Sequence, residues 1–204
     1  MSEIDLKSHL LKTAARLFQR QGYAAVSLRK IAAEAGVTTG SLYYYFNDKD
    51  EVVHEILDTG HRRALVDVRR AVQAVGLPAD RRAMLRAAVL AHLEAIFEDS
   101  SFPAASIRIF PHVPPHLRAA VRPGRIAYVQ FWTDLVTLGD PSRQPLVAPR
   151  HMAMYLLGAA NGTLEWYKAN RQTLEEVADD LTFVFFEVVA SARAARPAAR
   201  KTAA

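Results

Sequence analysis

Apolar residues recur at intervals of three and four along most of the chain, which is the spacing of one face of an α-helix. Runs of β-branched residues are short, and no segment alternates strictly as a half-buried strand does. The first apolar stripe consists of Leu10, Ala14, Leu17 and Phe18. It ends at Gly22, a residue type that tolerates the left-handed conformation after a helix. The pattern predicts an all-α fold.

Two short helices are expected to follow this first helix. Ser27 has the side chain of an N-cap for the second helix, which ends before Gly36. Thr38 can cap a third helix, in which Leu42 and Phe46 face inward. Two short helices joined through a glycine form the pattern of a helix-turn-helix, whose second helix enters the major groove of DNA.

Beyond the third helix the pattern predicts a larger helical region. A fourth helix, capped by Asn47, is expected to run to about Ala74, and a fifth begins near Asp80 after a break at Gly76. Prolines interrupt residues 100–124, so only short helical pieces are expected there. Later helices are expected at residues 123–138, 147–169 and 174–194.

The end of the chain carries two further local signals. Residues 139–145, rich in proline and polar side chains, predict a loop. Thr173 and Glu176 have the spacing of a capping box at the start of the last helix. The predicted division is a helix-turn-helix domain, a larger helical domain and a flexible basic tail, at residues 1–47, 48–195 and 196–204.

Composition and charge narrow the classes of protein to consider. The 204-residue chain contains no cysteine, which removes disulfides, thiolate metal sites and cysteine nucleophiles and suits a reducing compartment. No apolar stretch has the length of a membrane span or the form of a secretion signal, so a cytoplasmic location is expected. The net charge of +5, with a pI near 9.6, assists approach to a polyanion but is equally ordinary for an Arg-rich, Ala-rich proteome, so charge alone does not decide the function.

Motifs of catalysis and metal binding are not found in the sequence. It has no G-x-S-x-G, H-E-x-x-H, phosphate-binding loop or dinucleotide fingerprint, so an enzyme is not expected. His112 and His116 are four residues apart, but Pro114 and Pro115 between them prevent a shared helical face. Neither a metal nor another cofactor is therefore expected.

Three consecutive tyrosines, Tyr43 to Tyr45, end the third helix, and they cannot all be buried. A tyrosine ring with its hydroxyl suits a phosphate oxygen or a thymine methyl, and Gly40 allows DNA to approach the backbone closely. The three tyrosines are therefore candidates to face outward or sideways, towards DNA. The alternative is that these tyrosines only cover the core.

The stretch VSLRKIAAEAGVTTGSLYYYFNDKDEVV, residues 26–53, closely resembles the DNA-binding domain of TetR/AcrR-type transcriptional regulators. The resemblance extends back through RLFQRQGY. It implies an all-helical homodimer with a helix-turn-helix on each subunit and a C-terminal domain that binds a small effector. It also implies DNA contacts at Ser27, Arg29, Thr38, Thr39, Gly40, Ser41, Tyr43, Tyr45 and Lys49. With Tyr43 and Tyr45 on the DNA backbone, we expect Tyr44 to pack partly against the first helix. A charge such as that of Arg29 can also be merely solvated.

The middle helices combine apolar, aromatic and polar side chains, as a small-molecule cavity requires. The resemblance places an effector pocket among these helices. The residues expected to line it are His92, Phe97, Phe110, Tyr128, Phe131, Trp132, Asn161 and Trp166. A large helical core has the same composition, so each of them is equally a candidate core residue.

The last two long helices are expected to form the dimer interface that the resemblance implies. Small residues at 158–162 allow another helix to approach closely, and the last helix is apolar around most of its circumference. A four-helix interface with a second copy covers these surfaces and fixes the spacing of two recognition helices on a roughly palindromic site. The alternative is that helices of the same chain cover them.

Together these features predict a DNA-binding transcriptional regulator, specifically a repressor that a small apolar or amphipathic ligand releases from its double-stranded DNA operator. Release requires the ligand to bind more tightly to the arrangement that cannot bind DNA. The alternatives are an effector-independent DNA-binding protein and a ligand-dependent activator.

Overall fold

The computed structural model describes residues 3–76, 80–98, 102–137 and 147–188, and within these ranges the chain is helical and contains no strand. The predicted all-α fold is confirmed. In chain order the α-helices are α1 (Glu3–Gln21), α2 (Leu28–Glu34), α3 (Thr39–Tyr43), α4 (Lys49–Ala74), α5 (Arg81–Phe97), α6 (Phe102–Ile109), α7 (Pro115–Ala120), α8 (Arg122–Thr137), α9 (Pro149–Trp166) and α10 (Leu174–Thr182). A 3-10 turn, Phe110–His112, follows α6, and a π-helical turn, Phe183–Val188, continues α10.

Helices α1 to α3 form a three-helix unit whose boundaries follow from local chemistry. Gly22 ends α1 with a φ of 76°, in the left-handed region that favours glycine. The Ser27 hydroxyl accepts a hydrogen bond from the backbone N–H of Lys30 in α2, and Thr38 accepts one from that of Ser41 in α3. The predicted helix-turn-helix is therefore present, with both predicted caps.

The cap of α4 differs from the prediction. Asp48, not Asn47, has the extended backbone of an N-cap and accepts a hydrogen bond of 2.9 Å from the N–H of Glu51. Asn47 instead donates through its backbone N–H and its side-chain amide to Glu51 Oε2. Glu51 lies three residues after Asp48, so the usual N-cap to N3 spacing selects Asp48.

Two apolar clusters form the core, and α4 passes through both of them. The first joins the three-helix unit to the beginning of α4 and to one face of α6. The second joins the rest of α4 to α5, α8, α9 and α10. Because α4 contributes Val52 and Val53 to the first cluster and Ala64 and Val68 to the second, a shift of this helix displaces side chains in both.

Gly60 allows α4 and α6 to cross closely. A Cβ atom at this position would lie 2.6 Å from Ser106 Oγ and 2.8 Å from the backbone oxygen of Phe102. The Ser106 hydroxyl also reaches back across the crossing towards the carbonyl groups of Ile56 and Leu57, at 3.4 Å from each. The two helices are thus held against each other at the boundary between the two clusters.

The C-terminal helices agree with the predicted pattern over the described ranges. Thr173 and Glu176 form the predicted capping box at the start of α10, with hydrogen bonds in both directions. The predicted loop at 139–145, the end of the last helix to residue 194 and the tail at 196–204 lie outside the described residues. No helix in the described part of the chain is long and apolar enough to span a bilayer.

Candidate DNA-binding surface and ligand cavity

The start of α3 presents small polar groups at the surface. Thr38 Oγ1 accepts a hydrogen bond of 3.1 Å from the N–H of Ser41 and lies 2.9 Å from Ser41 Oγ, so these two hydroxyls hold each other in place. Thr39 is half-buried beside them, and Gly40 is exposed. A Cβ atom at Gly40 would meet only Thr38 Oγ1, at 3.8 Å, so the surface around Gly40 is open to a large partner.

The three tyrosines point in different directions. Tyr43 and Tyr44 are 52% and 73% exposed, whereas Tyr45 is half-buried and packs against the first cluster. The Tyr44 and Tyr45 rings meet edge to face, with 5.0 Å between their centroids. The expected packing of Tyr44 against the first helix is therefore wrong, because Tyr45 follows Leu42 by three residues and takes the inward side of the turn.

Ser27 and Arg29 lie at the exposed start of α2. Ser27 Oγ accepts a hydrogen bond of 3.3 Å from the Lys30 N–H, which leaves the hydroxyl proton of Ser27 for another acceptor. Arg29 and Lys30 are both exposed, so their charges face solvent on this side of the three-helix unit. This surface offers hydroxyl donors and positive charge, which are the groups that contact phosphates.

Lys49, at the start of α4, is committed partly to its own chain. Its ammonium donates to the Tyr23 carbonyl oxygen at 2.5 Å and lies 3.9 Å from the centroid of the Tyr23 ring. Burial lowers the pKa of this amine, although the charge of Asp50 works in the opposite direction. An ammonium has three N–H donors, so the contact with the carbonyl leaves two for another acceptor.

A cavity of about 230 Å³ lies between α4, α5, α6, α8 and α9. Four of the predicted ligand-binding residues line it: His92, Phe110, Tyr128 and Asn161. The other four do not contribute to its wall: Phe97, Phe131, Trp132 and Trp166. Half of the residues predicted to bind a ligand therefore line this cavity, and the other half do not.

The residues outside the wall have other roles in packing. Trp132 is fully buried in the second cluster, and the Phe131 ring meets its edge with 6.1 Å between centroids. Phe97 packs on Tyr167, with 4.6 Å between ring centroids. Trp166 is 55% exposed at the end of α9. Their distance from the cavity follows from how the helices pack, which the sequence spacing does not encode.

A chain of buried hydrogen bonds joins α8, α5 and α9 beside the cavity. The Tyr128 hydroxyl lies 2.7 Å from His92 Nδ1, and His92 Nε2 lies 3.0 Å from Asn161 Oδ1. Because Asn161 Oδ1 can only accept, Nε2 donates to it and Nδ1 accepts from Tyr128. Burial lowers the pKa of His92 to about 4, so this imidazole is neutral at neutral pH.

Three polar residues of the wall were missed by the sequence analysis: His61, Ser106 and Arg125. The Arg125 guanidinium lies 4.8 Å from the centroid of the Phe110 ring, and the His61 ring meets the same phenylalanine edge to face at 6.3 Å. Burial is the main cause of a lowered pKa for His61, and the positive charge of Arg125 adds to it. A single histidine or arginine on a helix does not show in the sequence that its side chain lines a cavity.

Apolar side chains are also exposed along α9 and after α10. Tyr155 is 60% exposed, Met154 is 37% exposed, and Phe183 and Val184 are 53% and 45% exposed. A Cβ atom added at Gly162 of α9 would meet nothing within 4 Å, and the same holds for Gly158, which borders the cavity. This surface has the small and apolar residues that suit packing against another helix.

Two family models match the sequence, one in its N-terminal region and one in the larger region that follows. Residues 10–56 match the family described as bacterial regulatory proteins, tetR family. Residues 78–189 match the tetracyclin repressor-like C-terminal domain. A curated relative, the HTH-type transcriptional repressor KstR2 of Rhodococcus jostii strain RHA1, is 31% identical over 193 residues, which cover 91% of each chain.

Solved structures of this class share the fold. PfmR of Thermus thermophilus, described as a TetR family transcriptional regulator, is 22% identical, with a TM-score of 0.74 and coverage of 89% of this chain and 95% of its own. AibR in complex with isovaleryl coenzyme A and operator DNA is 24% identical, with a TM-score of 0.75 and coverage of 88% and 96%. The predicted helix-turn-helix regulator is confirmed, and the chain belongs to the TetR family of bacterial regulatory proteins.

Proposed function

We propose that this protein is a homodimeric repressor that binds a roughly palindromic operator and is released from it by a small apolar or amphipathic ligand. The observation that carries this proposal is the position of α6 between the cavity and the three-helix unit. Pro103, Ser106 and Ile107 of α6 line the cavity, whereas Phe102, Ala105 and Ile109 of the same helix belong to the cluster that contains α1.

The packing offers a physical route from ligand to DNA. A ligand that displaces α6 or α4 also displaces the apolar side chains on which α1 rests, because both helices contribute to both clusters. Such a ligand lowers DNA affinity only to the extent that it binds the displaced arrangement more tightly. The relative KstR2 is called a repressor, and AibR was crystallised with an acyl thioester and operator DNA, which supports assigning both activities to this chain.

We propose that the DNA contacts come from the exposed groups around α2, α3 and the start of α4. Arg29, Tyr43 and Lys49 reach phosphates, and the backbone at Gly40 approaches a base edge. The remaining contacts of this surface are the hydroxyls of Ser27, Thr38, Thr39, Ser41 and Tyr45. Tyr45 contributes less than Tyr43 because part of its side chain is already packed on the protein.

We propose that the exposed apolar surface of α9 and of the turn after α10 forms the interface with a second copy. Tyr155 and Phe183 are large apolar side chains that a single chain leaves in water. Gly162 lies open on the same helix, seven residues after Tyr155, and allows the backbones to approach. Two chains joined in this way present two recognition helices related by a two-fold axis.

The DNA contacts can be tested by a pair of matched arginine variants. Arg29→Gln removes a charge from the proposed surface, whereas Arg69→Gln removes one from an exposed site about 30 Å along α4 from Lys49, at 1.5 Å per residue. The affinity for a selected operator fragment is measured over a range of salt concentrations. We expect Arg29→Gln to reduce the slope of log affinity against log salt by about 1 and Arg69→Gln to leave it unchanged. Equal slopes for Arg29→Gln and wild type contradict the proposed surface.

A further inference from the structure

The charge of the cavity wall is one-sided. Arg125 is a permanent cation of the wall, and no aspartate or glutamate is among the described residues that line the cavity. The guanidinium is planar and offers N–H donors in the fork that matches a carboxylate. An anionic group on a ligand therefore meets attraction here, whereas a cationic group meets repulsion.

The buried hydrogen-bond chain also leaves a donor at the cavity. His92 uses both of its ring nitrogens, one with Tyr128 and one with Asn161. Because Asn161 presents its oxygen to His92, the remaining polar group of its side chain is the NH₂. A ligand that carries an acceptor oxygen can bond to this amide, whereas a ligand with only donors cannot.

His61 is a second polar residue of the wall, beside Phe110. Its Nδ1 atom is buried and forms no hydrogen bond, although the Leu57 carbonyl lies near enough to raise the pKa of the ring. His61 and Arg125 both contact Phe110, so a group bound beside that ring lies within reach of both.

The rest of the cavity is apolar and small. Ala64, Ile107, Val129 and Leu157 supply much of the remaining wall. The volume of about 230 Å³ lies below the range of about 300–1,000 Å³ that is typical of pockets for drug-sized ligands. The part of a ligand that this wall encloses is therefore compact.

We propose that the cavity binds a small apolar monocarboxylate, with the carboxylate beside Arg125, His61 and Phe110 and the apolar body between Ala64, Val129 and Leu157. One cation matches one negative charge, and the body matches the apolar wall. The regulatory consequence, release of DNA by this acid, rests on the proposed function.

The test compares acids with isosteres that lack the charge. Binding of octanoate and cyclohexanecarboxylate, and of their primary amides, is measured by titration calorimetry. The proteins are wild type, Arg125→Gln and the matched control Arg122→Gln, since Arg122 is exposed on the same helix and is not part of the wall. Arg125 is exposed to solvent, and an exposed ion pair is worth about 0.2–1 kcal/mol, so we expect Arg125→Gln to weaken acid binding by up to about 5-fold. The control keeps wild-type affinity.

Three results overturn the inference. The first is that neither acid binds wild type more tightly than its amide. The second is that Arg125→Gln binds the acids as wild type does. The third is that octanoyl coenzyme A binds more tightly than octanoate, because the thioester has no carboxylate at that position and the recognised charge then belongs to its carrier.

DNA binding is measured separately, so the two proposals can fail independently. An acid that binds through Arg125 without changing the affinity for a DNA fragment supports the inferred ligand class and contradicts the effector part of the proposed function. A neutral compound that binds the cavity more tightly than either acid and releases DNA supports the proposed function. The same result overturns the inference that the ligand is a monocarboxylate.

Discussion

Replacing His92 with glutamine isolates the pH dependence of the buried hydrogen-bond chain. Glutamine can donate to Asn161 and accept from Tyr128, as the neutral imidazole does, but it does not titrate. The substitution therefore removes a proton-binding group while it keeps a polar side chain in the same place.

The magnitude follows from the depressed pKa of His92. In the folded protein burial lowers this pKa from 6.5 to about 4. At a pH between these two values, His92 is protonated in the unfolded chain and neutral in the folded chain. The contribution of neutral His92 to the free energy of unfolding is fully present above the unfolded pKa of 6.5 and decreases as the pH falls towards 4. At about 1.4 kcal/mol per pKa unit, the loss is about 2 kcal/mol by about pH 5 and about 3 kcal/mol in total.

The assay is urea unfolding of wild type and His92→Gln at about pH 7 and about pH 5, followed by far-ultraviolet circular dichroism. We expect wild type to lose about 2 kcal/mol more than the variant between the two pH values, while the denaturant slopes stay equal. Equal losses in the two proteins refute the reasoning, because they mean that His92 takes up a proton as easily in the folded state as in the unfolded state.

Three further predictions concern the crossing of α4 and α6, the proposed interface and the recognition surface. Gly60→Ala is expected to lower the free energy of unfolding by about 1–3 kcal/mol, because the new Cβ meets Ser106 Oγ and the Phe102 carbonyl. Adding Ser106→Gly should recover only part of this loss. Wild-type stability of the single variant would show that the two helices cross less closely. Tyr155→Glu places a charge in the proposed interface, at a side chain that is 60% exposed in one chain. Sedimentation analysis should then find a monomer, with the helix content of wild type. A dimer of unchanged affinity rules out this interface. Tyr43→Ala should shift the unfolding free energy by less than about 0.5 kcal/mol, since the ring is 52% exposed, yet weaken operator binding; a large loss of stability indicates a packing role instead.

The three-helix unit could be predicted from sequence because its determinants are local. Ser27 and Thr38 cap helices within three residues of themselves, and Leu42 and Phe46 are related by one helical turn. The predicted cap of α4 was wrong by only one residue. Asn47 and Asp48 are both good capping residues, and only the position of Glu51 distinguishes them.

The cavity could be predicted only in part because it is formed by residues far apart in the chain. Tyr128 and Trp132 lie one turn apart on the same face of α8, yet Tyr128 reaches the cavity wall and Trp132 fills the core. Which of the two meets the cavity depends on the separation of α5, α8 and α9. His61 and Arg125 are brought together by the packing of α4 against α8, which no short spacing in the sequence records.

The most direct test of the regulator is a footprint of the purified protein on DNA from its own genome, with the salt concentration varied. The account predicts protection of a site with two similar half-sites about one helical turn apart, and an affinity that falls steeply with salt. Addition of a cavity ligand should remove the protection. Absence of any specific site at low salt, or protection that the ligand strengthens, contradicts the account of a ligand-released dimeric repressor.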